Sequence, residues 1–298
     1  MANALSTGEL PMTGRRIEAK PLRSATVASW IALGALLLRD LVVLRKHLVE
    51  FVLRVLIQPF LLVFVFLYIF PKIGQSVGAG QGAARASASF ATILVPGVVG
   101  ISVMFQGIQA VALQLATEFG FTREIEDRVQ APCPVWLVAV AKIVSGGIQG
   151  LIAAVIVFPI AAVIHAQGVQ ANFDIHWWIA LTLLPLTCIA FTSLGLLLGC
   201  AFEPRNIGLM FGFIVLPITF LGGTYYQWTR LAAVKIGGVH WLQILVLVNP
   251  LIYVNEGLRA GLTNVSHMHL YIVYPVLVAF SVVFLTLGIR GFRHRVLS

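Results

Sequence analysis

Residues 86–117 read ASASFATILVPGVVGISVMFQGIQAVALQLAT, and none of these 32 residues between Arg85 and Glu118 carries a formal charge. A helix needs about 20 predominantly apolar residues to cross the hydrocarbon core of a bilayer. This stretch is therefore long enough to span a membrane. It indicates a protein with much of its surface in contact with lipid or packed inside a bundle.

Four more runs of 24 to 31 uncharged residues share this character. They lie between Lys142 and Asp174, Asp174 and Glu203, Arg205 and Arg230, and Arg259 and Arg290. Only 10% of the residues are charged and 59% are hydrophobic, whereas soluble domains average about 25% charged residues. A porin-type barrel would show short alternating segments instead. The pattern predicts an all-α integral membrane protein.

The positive charges cluster at the two ends of the chain. The net charge is +9, and seven of the 20 Lys and Arg residues fall within the first 50 residues. Arg290, Arg293 and Arg295 stand near the C-terminus. Positive residues flank spans on the cytoplasmic side, so this distribution is a topology signal and not a nucleic-acid footprint. We expect both termini to be cytoplasmic, with membrane lipid and no nucleic acid as a partner.

Six spans satisfy this charge rule. We predict a disordered cytoplasmic tail over residues 1–24 and a single transmembrane domain over residues 25–298. The predicted spans are residues 55–71, 90–116, 135–164, 177–201, 207–226 and 270–290. A signal peptide is the alternative for the N-terminus, because basic residues precede the apolar run Thr26–Leu38, but no small-residue cleavage pattern follows it.

Residues 28–54 have the periodicity of one amphipathic helix. At 100° per residue, their charged side chains and His47, with the exception of Arg45, fall within an arc of about 120°, opposite Trp, Ile, Leu and Val. The polar residues on this arc are Arg39, Asp40, Lys46, His47, Glu50 and Arg54. Such a helix lies in the membrane interface on the basic side. An extension of the first span is the alternative.

A seventh apolar segment, Val239–Asn255, is interrupted by Pro250 after Asn249. Counting it as a span would place the basic C-terminus outside, against the charge rule. We therefore predict a re-entrant or interfacial helix pair over residues 239–262 on the outer face. Glu256 and Arg259 are spaced i,i+3 and can pair there, and Asn249 can satisfy backbone groups freed at the break.

The loop after residues 86–117 is compact and charged. Residues 118–139 read EFGFTREIEDRVQAPCPVWLVA and hold four of the eleven acidic residues. Residues 118–130 have helical periodicity, with the i,i+4 pairs Arg123–Asp127 and Glu124–Arg128. The helix must end before Pro132 and Pro134. A solvated loop helix and a docking helix for a cytoplasmic partner both fit this pattern.

Several kinds of chemistry are missing from the sequence. No Asp or Glu lies at the middle of a predicted span, although proton- or sodium-driven carriers need intramembrane carboxylates. No G-x-x-x-x-G-K-[ST] phosphate loop and no HExxH motif occur. The three cysteines have no metal-site spacing. These observations predict a conduit or scaffold that is not an enzyme, has no metal site and draws energy from elsewhere.

Two separated motifs stand out in the sequence. The first motif is Glu118-Phe-x-x-x-Arg123-Glu124-x-Glu126-x-Arg128-x-x-Ala131-Pro132-x-Pro134. The second comprises Gly222-Gly223-Thr-Tyr-Tyr, Trp241-Leu-Gln, Asn249-Pro250-Leu-Ile-Tyr253 and Glu256-Gly-Leu-Arg259-Ala. In this order, on a six-span frame with an amphipathic N-terminal helix, they resemble the type-2 ABC exporter permeases, such as the daunorubicin-resistance, nodulation-factor and O-antigen export subunits.

The resemblance implies a mechanism and a set of site residues. Two copies of the chain would pair with two copies of a separate ATPase, which binds ATP and Mg²⁺, so that this chain holds no cofactor. The loop between the fourth and fifth spans, Glu203–Asn206, and the end of the amphipathic helix would also contact the ATPase. The implied coupling residues are Glu118, Phe119, Phe121, Arg123, Glu124, Ile125, Glu126, Asp127 and Arg128.

The same resemblance makes the segment before the last span an outer gate, with a folded cap as the alternative. Its implied residues are Asn249, Pro250, Tyr253, Glu256 and Arg259. The expected function is a permease of the bacterial inner membrane that exports a hydrophobic drug, a lipid or a lipid-linked glycan. A membrane scaffold without transport and an enzyme acting on a lipid-linked donor are the alternatives.

Overall fold

The computed structural model describes residues 25–73, 83–122, 134–164, 171–234 and 238–297 of the chain. The regular structure within these ranges is helical. The prediction of an all-α integral membrane protein is confirmed. The predicted tail over residues 1–24 and most of the charged loop, residues 123–133, lie outside the described residues.

The main helices of the described chain are named here in chain order. They are α1 (Ala25–Lys46), α2 (Leu48–Val63), α3 (Ala83–Thr117), α4 (Val135–Val163), α5 (Trp177–Ala201), α6 (from Ile207–Met210 to Leu216–Leu221), α7 (Trp241–Leu245), α8 (Pro250–Leu262) and α9 (Leu270–Leu297). Helix α2 continues through the π-helical turn Phe64–Ile69 to Lys72, and Phe211–Val215 is a π-helical turn inside α6.

Seven helical stretches in the described ranges are long and apolar enough to cross a membrane. Six of them overlap the six predicted spans, and the seventh lies within α1. The six are Leu48–Lys72, Phe90–Gly120, Val135–Val163, Trp177–Ala201, Pro204–Leu221 and Leu270–Val296. The first therefore begins before the predicted residue 55, and the fifth ends at Leu221 and not at residue 226.

The prediction of one amphipathic helix over residues 28–54 is wrong in its bounds. Helix α1 ends at Lys46, and His47 has φ −108° and ψ 27°, outside the helical region. Helix α2 then begins at Leu48 and runs past Pro59. Because the apolar sequence continues without a stop signal, Glu50 and Arg54 belong to the first turns of a spanning helix and not to a separate interfacial one.

Helix α3 is the centre of the bundle, since nearly every residue from Phe90 to Glu118 is buried. It packs closely against α5 through the small residues Gly195 and Gly199. A Cβ atom on Gly195 would lie only 2.9 Å from the backbone oxygen of Ile108. Small residues four positions apart let two helix backbones approach in this way. The contact fixes α5, and with it the loop that follows α5, against α3.

A bent helix pair lies within the predicted re-entrant segment. Helix α7 and the following 3₁₀ turn, Trp241–Val248, meet α8 at an angle of 94° across Asn249. The Asn249 side chain accepts a hydrogen bond of 2.9 Å from the backbone N–H of Leu251, and its amide donates to the carbonyl of Ile218 at 2.7 Å. The predicted role of Asn249 at the break is confirmed, and all residues of α8 are buried.

Candidate functional site

Four segments that are distant in the sequence meet where α3 ends. They are the π-helical turn Glu118–Thr122 that follows α3, the first turns of α4, the loop Glu203–Asn206 after α5 and the C-terminal turns of α9. We call this region the Glu118 end. It contains the first residues of the predicted coupling segment and one of the loops expected to share its role.

A buried ion pair joins α3 to α4 at the Glu118 end. The Nζ atom of Lys142 donates to Oε1 of Glu118, and both side chains are almost fully buried. Removing one partner of such a pair leaves an uncompensated charge inside the protein, which is strongly destabilising. The pair therefore ties the start of the coupling segment to the second turn of α4. The sequence predictions included Glu118 but missed Lys142, whose signal was a single Lys inside an apolar helix.

The ring of Phe119 lies between two side chains of α9. Its centroid is 6.2 Å from that of Phe292, which is fully buried. The guanidinium carbon of Arg295 lies 4.7 Å from the Phe119 centroid, in the position of a cation–π contact. The predicted coupling residue Phe119 is thus held by the last helix of the protein.

Arg295 also caps the end of α5. Its Nη1 atom donates to the carbonyls of Gly199 at 3.0 Å, Cys200 at 3.0 Å and Phe202 at 2.7 Å. The last carbonyls of a helix lack intrahelical partners and attract positive charge. One guanidinium therefore connects α5, α9 and Phe119 of the predicted coupling segment. The sequence analysis had used Arg295 only as a topology signal.

The loop after α5 touches the coupling segment directly. A Cβ atom on Gly120 would lie 2.8 Å from Cβ and Cγ of Pro204, so only glycine fits against this proline. The resemblance had implied that residues 118–128 and 203–206 act together. The structure brings Gly120 and Pro204 of these two segments into contact.

The predicted coupling segment is described only in its first five residues, 118–122. Residues Arg123, Glu124, Ile125, Glu126, Asp127 and Arg128 lie outside the described residues, and Phe121 is described only as part of a helical turn. One expectation is corrected: residues 118–122 do not start a separate helix but continue α3 without a break. The contacts of Glu118 and Phe119 with α4 and α9 hold this extension in place.

Predicted polar residues of the N-terminal helix face a cavity beside the Glu118 end. Arg39, Asp40 and Glu50 line an open cavity of about 620 Å³, together with Glu118. Nη2 of Arg39 lies 3.1 Å from Oδ1 of Asp40. Lys46 is exposed and does not line this cavity.

The residues of the predicted outer gate form a second buried cluster around α8. Nη1 of Arg259 donates to Oε1 of Glu256 at 2.9 Å, which confirms the predicted pair, and both side chains are fully buried. Arg259 also donates from Nη2 to the carbonyl of Gly223. That carbonyl is positioned by a left-handed backbone at Gly223, with φ +70°, which glycine adopts readily.

Glu256 additionally accepts two backbone hydrogen bonds, from the N–H of Trp228 at 2.8 Å and from that of Met268 at 2.9 Å. The neighbouring Asn255 donates from Nδ2 to the carbonyl of Gly222 at 2.7 Å and to Oγ1 of Thr224 at 3.1 Å. The sequence analysis did not single out Asn255. It also did not show that residues 222–224, Trp228 and Met268 bond to α8, because these contacts join separate segments of the chain.

Two predicted residues have local roles in the bent pair. The hydroxyl of Tyr253 donates to the carbonyl of Leu247 at 2.9 Å, across the bend. Pro250 is the first residue of α8, where its missing N–H leaves no bond unmade. Helix α8 is therefore anchored to the loop after α6 and to the bend by side-chain hydrogen bonds. Among the described residues, no group of three or more His, Cys, Asp and Glu side chains is placed to hold a metal ion.

Comparison with known proteins identifies the family of this chain. Residues 32–263 match the family model described as ABC-2 type transporter. The chain is also 32% identical over 202 residues to the inner membrane transport permease YadH of Escherichia coli K12, covering 66% of this chain and 72% of YadH. The YadH proteins of Escherichia coli O157:H7 and Shigella flexneri match to the same extent. Since the family model covers most of the chain, from α1 to the end of α8, the protein belongs to the ABC-2 type transporter family.

Proposed function

We propose that this chain is the permease subunit of a bacterial ABC exporter. It would sit in the inner membrane with both termini in the cytoplasm and move a hydrophobic or amphipathic substrate out of the cytoplasm or the inner leaflet. A separate ATPase subunit would bind ATP and Mg²⁺ and supply the energy. The observation that carries this proposal is the match of residues 32–263 to the ABC-2 type transporter family. The name of YadH, a transport permease of the inner membrane, supports it.

The Glu118 end supplies the contacts that this function needs. In the proposal, the ATPase contacts residues 118–128 and the loop Glu203–Asn206. A displacement of Phe119 would act on α9 through Phe292 and Arg295. A displacement of Glu118 would act on α4 through Lys142, because a buried ion pair resists separation. Movement of the ATPase would thus be transmitted at once to α3, which residues 118–122 continue, and to α4 and α9.

The cluster around α8 fits a rigid element on the opposite side of the membrane. In the proposal it closes the outer end of the pathway, and α8 moves together with the loop after α6. The hydrogen bonds of Asn255 and Arg259 to residues 222–224 support joint movement of these two segments. Six spans are few to enclose a pathway, so we include a second copy of the chain in the proposed assembly.

A pull-down from native membranes tests the proposed ATPase partner. The intact chain is compared with the charge-reversed variant Glu124→Lys/Asp127→Lys. A matched control reverses two acidic residues elsewhere in the cytoplasmic part, Glu9→Lys/Glu18→Lys. We expect an ABC ATPase to co-purify with the intact chain and the control but not with the first variant. Absence of an ATPase from all three preparations, with the chain folded, would contradict the proposal.

Transport itself needs a second measurement. Inverted vesicles that contain the chain and its co-purified ATPase should take up substrate only when ATP is hydrolysed. A folded complex that hydrolyses ATP without flux for any of a panel of amphipathic compounds would favour the scaffold alternative. The vesicle orientation also reports the direction of movement.

A further inference from the structure

Side chains from four helices line the cavity beside the Glu118 end, whose volume is about 620 Å³. Helices α1 and α2 supply Arg39, Asp40, His47, Glu50 and Arg54, and α3 and α4 supply the remaining polar groups. The latter are Gln109, Gln114, Thr117, Glu118, Ser145 and Gln149. We call this cavity the amide groove, after its three glutamines.

The amide groove continues into the bundle. A second, smaller cavity of about 30 Å³ shares Arg54 and Gln109 with it and is lined further by Gln58, Ser102 and Gln106. This volume exceeds the 10–15 Å³ or so that one water requires. Polar side chains of α2 at positions 50, 54 and 58 follow the four-residue spacing of one helix face, and His47 lies just before them. The polar lining therefore extends inward from the Glu118 end.

Several amides in the groove have free hydrogen-bonding capacity. Gln106 donates from Nε2 to Oε1 of Gln149 at 3.2 Å, which links α3 to α4. The side-chain amides of Gln109 and Gln114, in contrast, form no hydrogen bond with the part of the chain that the structure describes, and both residues are half-buried. Polar groups within membrane helices face a wet cavity or a ligand when they are not paired with each other. Each amide offers two donors and two acceptor lone pairs.

The charges of the groove are balanced. Arg39 pairs with Asp40, and Nδ1 of His47 lies 3.4 Å from Oε2 of Glu50. Glu118 pairs with Lys142, which does not itself line the groove. Arg54 stands one helical turn from Glu50 on α2. A groove of this kind attracts neither an anionic nor a cationic head strongly. Apolar side chains next to it, such as Val42 and Val43, are about half exposed and suit an alkyl chain.

We propose that the amide groove binds the head of an amphipathic molecule, and that this head is uncharged and rich in hydroxyl groups, as in an alkyl glycoside or glycolipid. Gln109 and Gln114 bind the sugar hydroxyls, and the tail lies along the apolar surface of α1. Resting on the proposed function, this assigns the class of cargo. It also places the cargo beside Thr117 and Glu118, where the coupling segment begins.

Photolabelling tests the proposal on the chain alone. The full chain is extracted into styrene–maleic acid nanodiscs without detergent and labelled with a diazirine derivative of dodecyl maltoside. Labelled peptides should cover residues 109–118 or 145–149. Unlabelled dodecyl maltoside should compete roughly tenfold better than lysophosphatidylglycerol, which has an anionic head. Equal competition by the two compounds, or labels spread over the lipid-facing helices, would overturn the proposal.

Substitutions distinguish a loss of binding of the head group from a loss of folding. Gln109→Leu/Gln114→Leu removes both free amides and should weaken labelling by roughly tenfold, as expected for the loss of two hydrogen bonds. The matched control Gln243→Leu, on α7, should leave it unchanged. If the double variant fails to fold, the single variant Gln114→Asn should still weaken labelling. Unchanged labelling in a folded Gln109→Leu/Gln114→Leu variant would contradict the proposal.

The outcome is independent of the ATPase. If the ATPase co-purifies but the groove is not labelled, the cargo class is wrong and the permease function stands. If the groove is labelled and no ATPase is found, the groove binds glycosides and the proposed function is wrong.

Discussion

Arg295 and Phe119 are in contact although they belong to different helical segments, α9 and the continuation of α3, and the guanidinium carbon of Arg295 lies 4.7 Å from the ring centroid of Phe119. The same side chain donates three hydrogen bonds to carbonyls at the end of α5. The last helix is therefore part of the surface from which the coupling segment starts. This relationship and three others lead to testable predictions.

Replacing Arg295 should loosen the Glu118 end. We expect Arg295→Ala to lower the free energy of unfolding by about 2 kcal/mol, because hydrogen bonds to a charged donor and a cation–π contact are lost together. In a complex with its ATPase, the variant should hydrolyse ATP with reduced transport. Thermal unfolding in nanodiscs and vesicle flux measure the two effects.

The neighbouring exposed residue provides the control for Arg295. Arg293→Ala removes the same charge two residues away and should change stability by less than about 0.5 kcal/mol. Equal effects of the two variants would show that net charge, and not the contacts of Arg295, is responsible.

Breaking the buried Glu118–Lys142 pair should be more damaging than removing both charges. We expect Lys142→Met to lower the free energy of unfolding by about 3 kcal/mol, since a buried carboxylate loses its counter-charge. The double variant Glu118→Gln/Lys142→Met should recover much of this loss. Lys72→Met, at an exposed lysine, serves as the control. A double variant no more stable than Lys142→Met would argue against the pair as the cause.

The outer cluster makes a parallel prediction. Glu256→Gln should destabilise the protein by about 3 kcal/mol, because Arg259 is fully buried and loses its ion-pair partner. Asp174→Asn makes the same acid-to-amide change at an exposed position and should have little effect. Chemical denaturation measures the free energy of unfolding of both variants. A Glu256→Gln variant as stable as the unchanged protein would mean that Arg259 finds other partners.

The close contact of α5 with α3 can be probed with single methyl groups. Gly195→Ala should cost about 1–3 kcal/mol, because its Cβ atom would meet the backbone of Ile108 and the helices would have to separate. Gly208→Ala and Gly212→Ala are matched controls, since nothing lies within 4 Å of a Cβ atom at either position. Equal unfolding temperatures for the three variants would show that close packing does not require glycine at position 195.

Features that depend on neighbours along the chain could be predicted from the sequence alone. Uncharged runs longer than a span indicated an all-α membrane protein, and Asn249-Pro250 marked the bend between α7 and α8. The i,i+3 spacing of Glu256 and Arg259 indicated their pairing. The first follows from the thickness of the bilayer, the second from the missing N–H of proline and the third from the 3.6-residue repeat of a helix, so all three are visible in local sequence patterns.

Contacts between helices were decided only by the tertiary structure. Lys142 lies 24 positions from Glu118, and Arg295 lies 96 positions from Gly199. In these cases the sequence showed a single lysine in an apolar run and a basic C-terminus, without their partners. Helical periodicity defines which face of a helix is polar but not which helix covers that face. The Glu118 end, the buried network around α8 and the amide groove therefore arise from packing, which places side chains from distant segments within reach of one another.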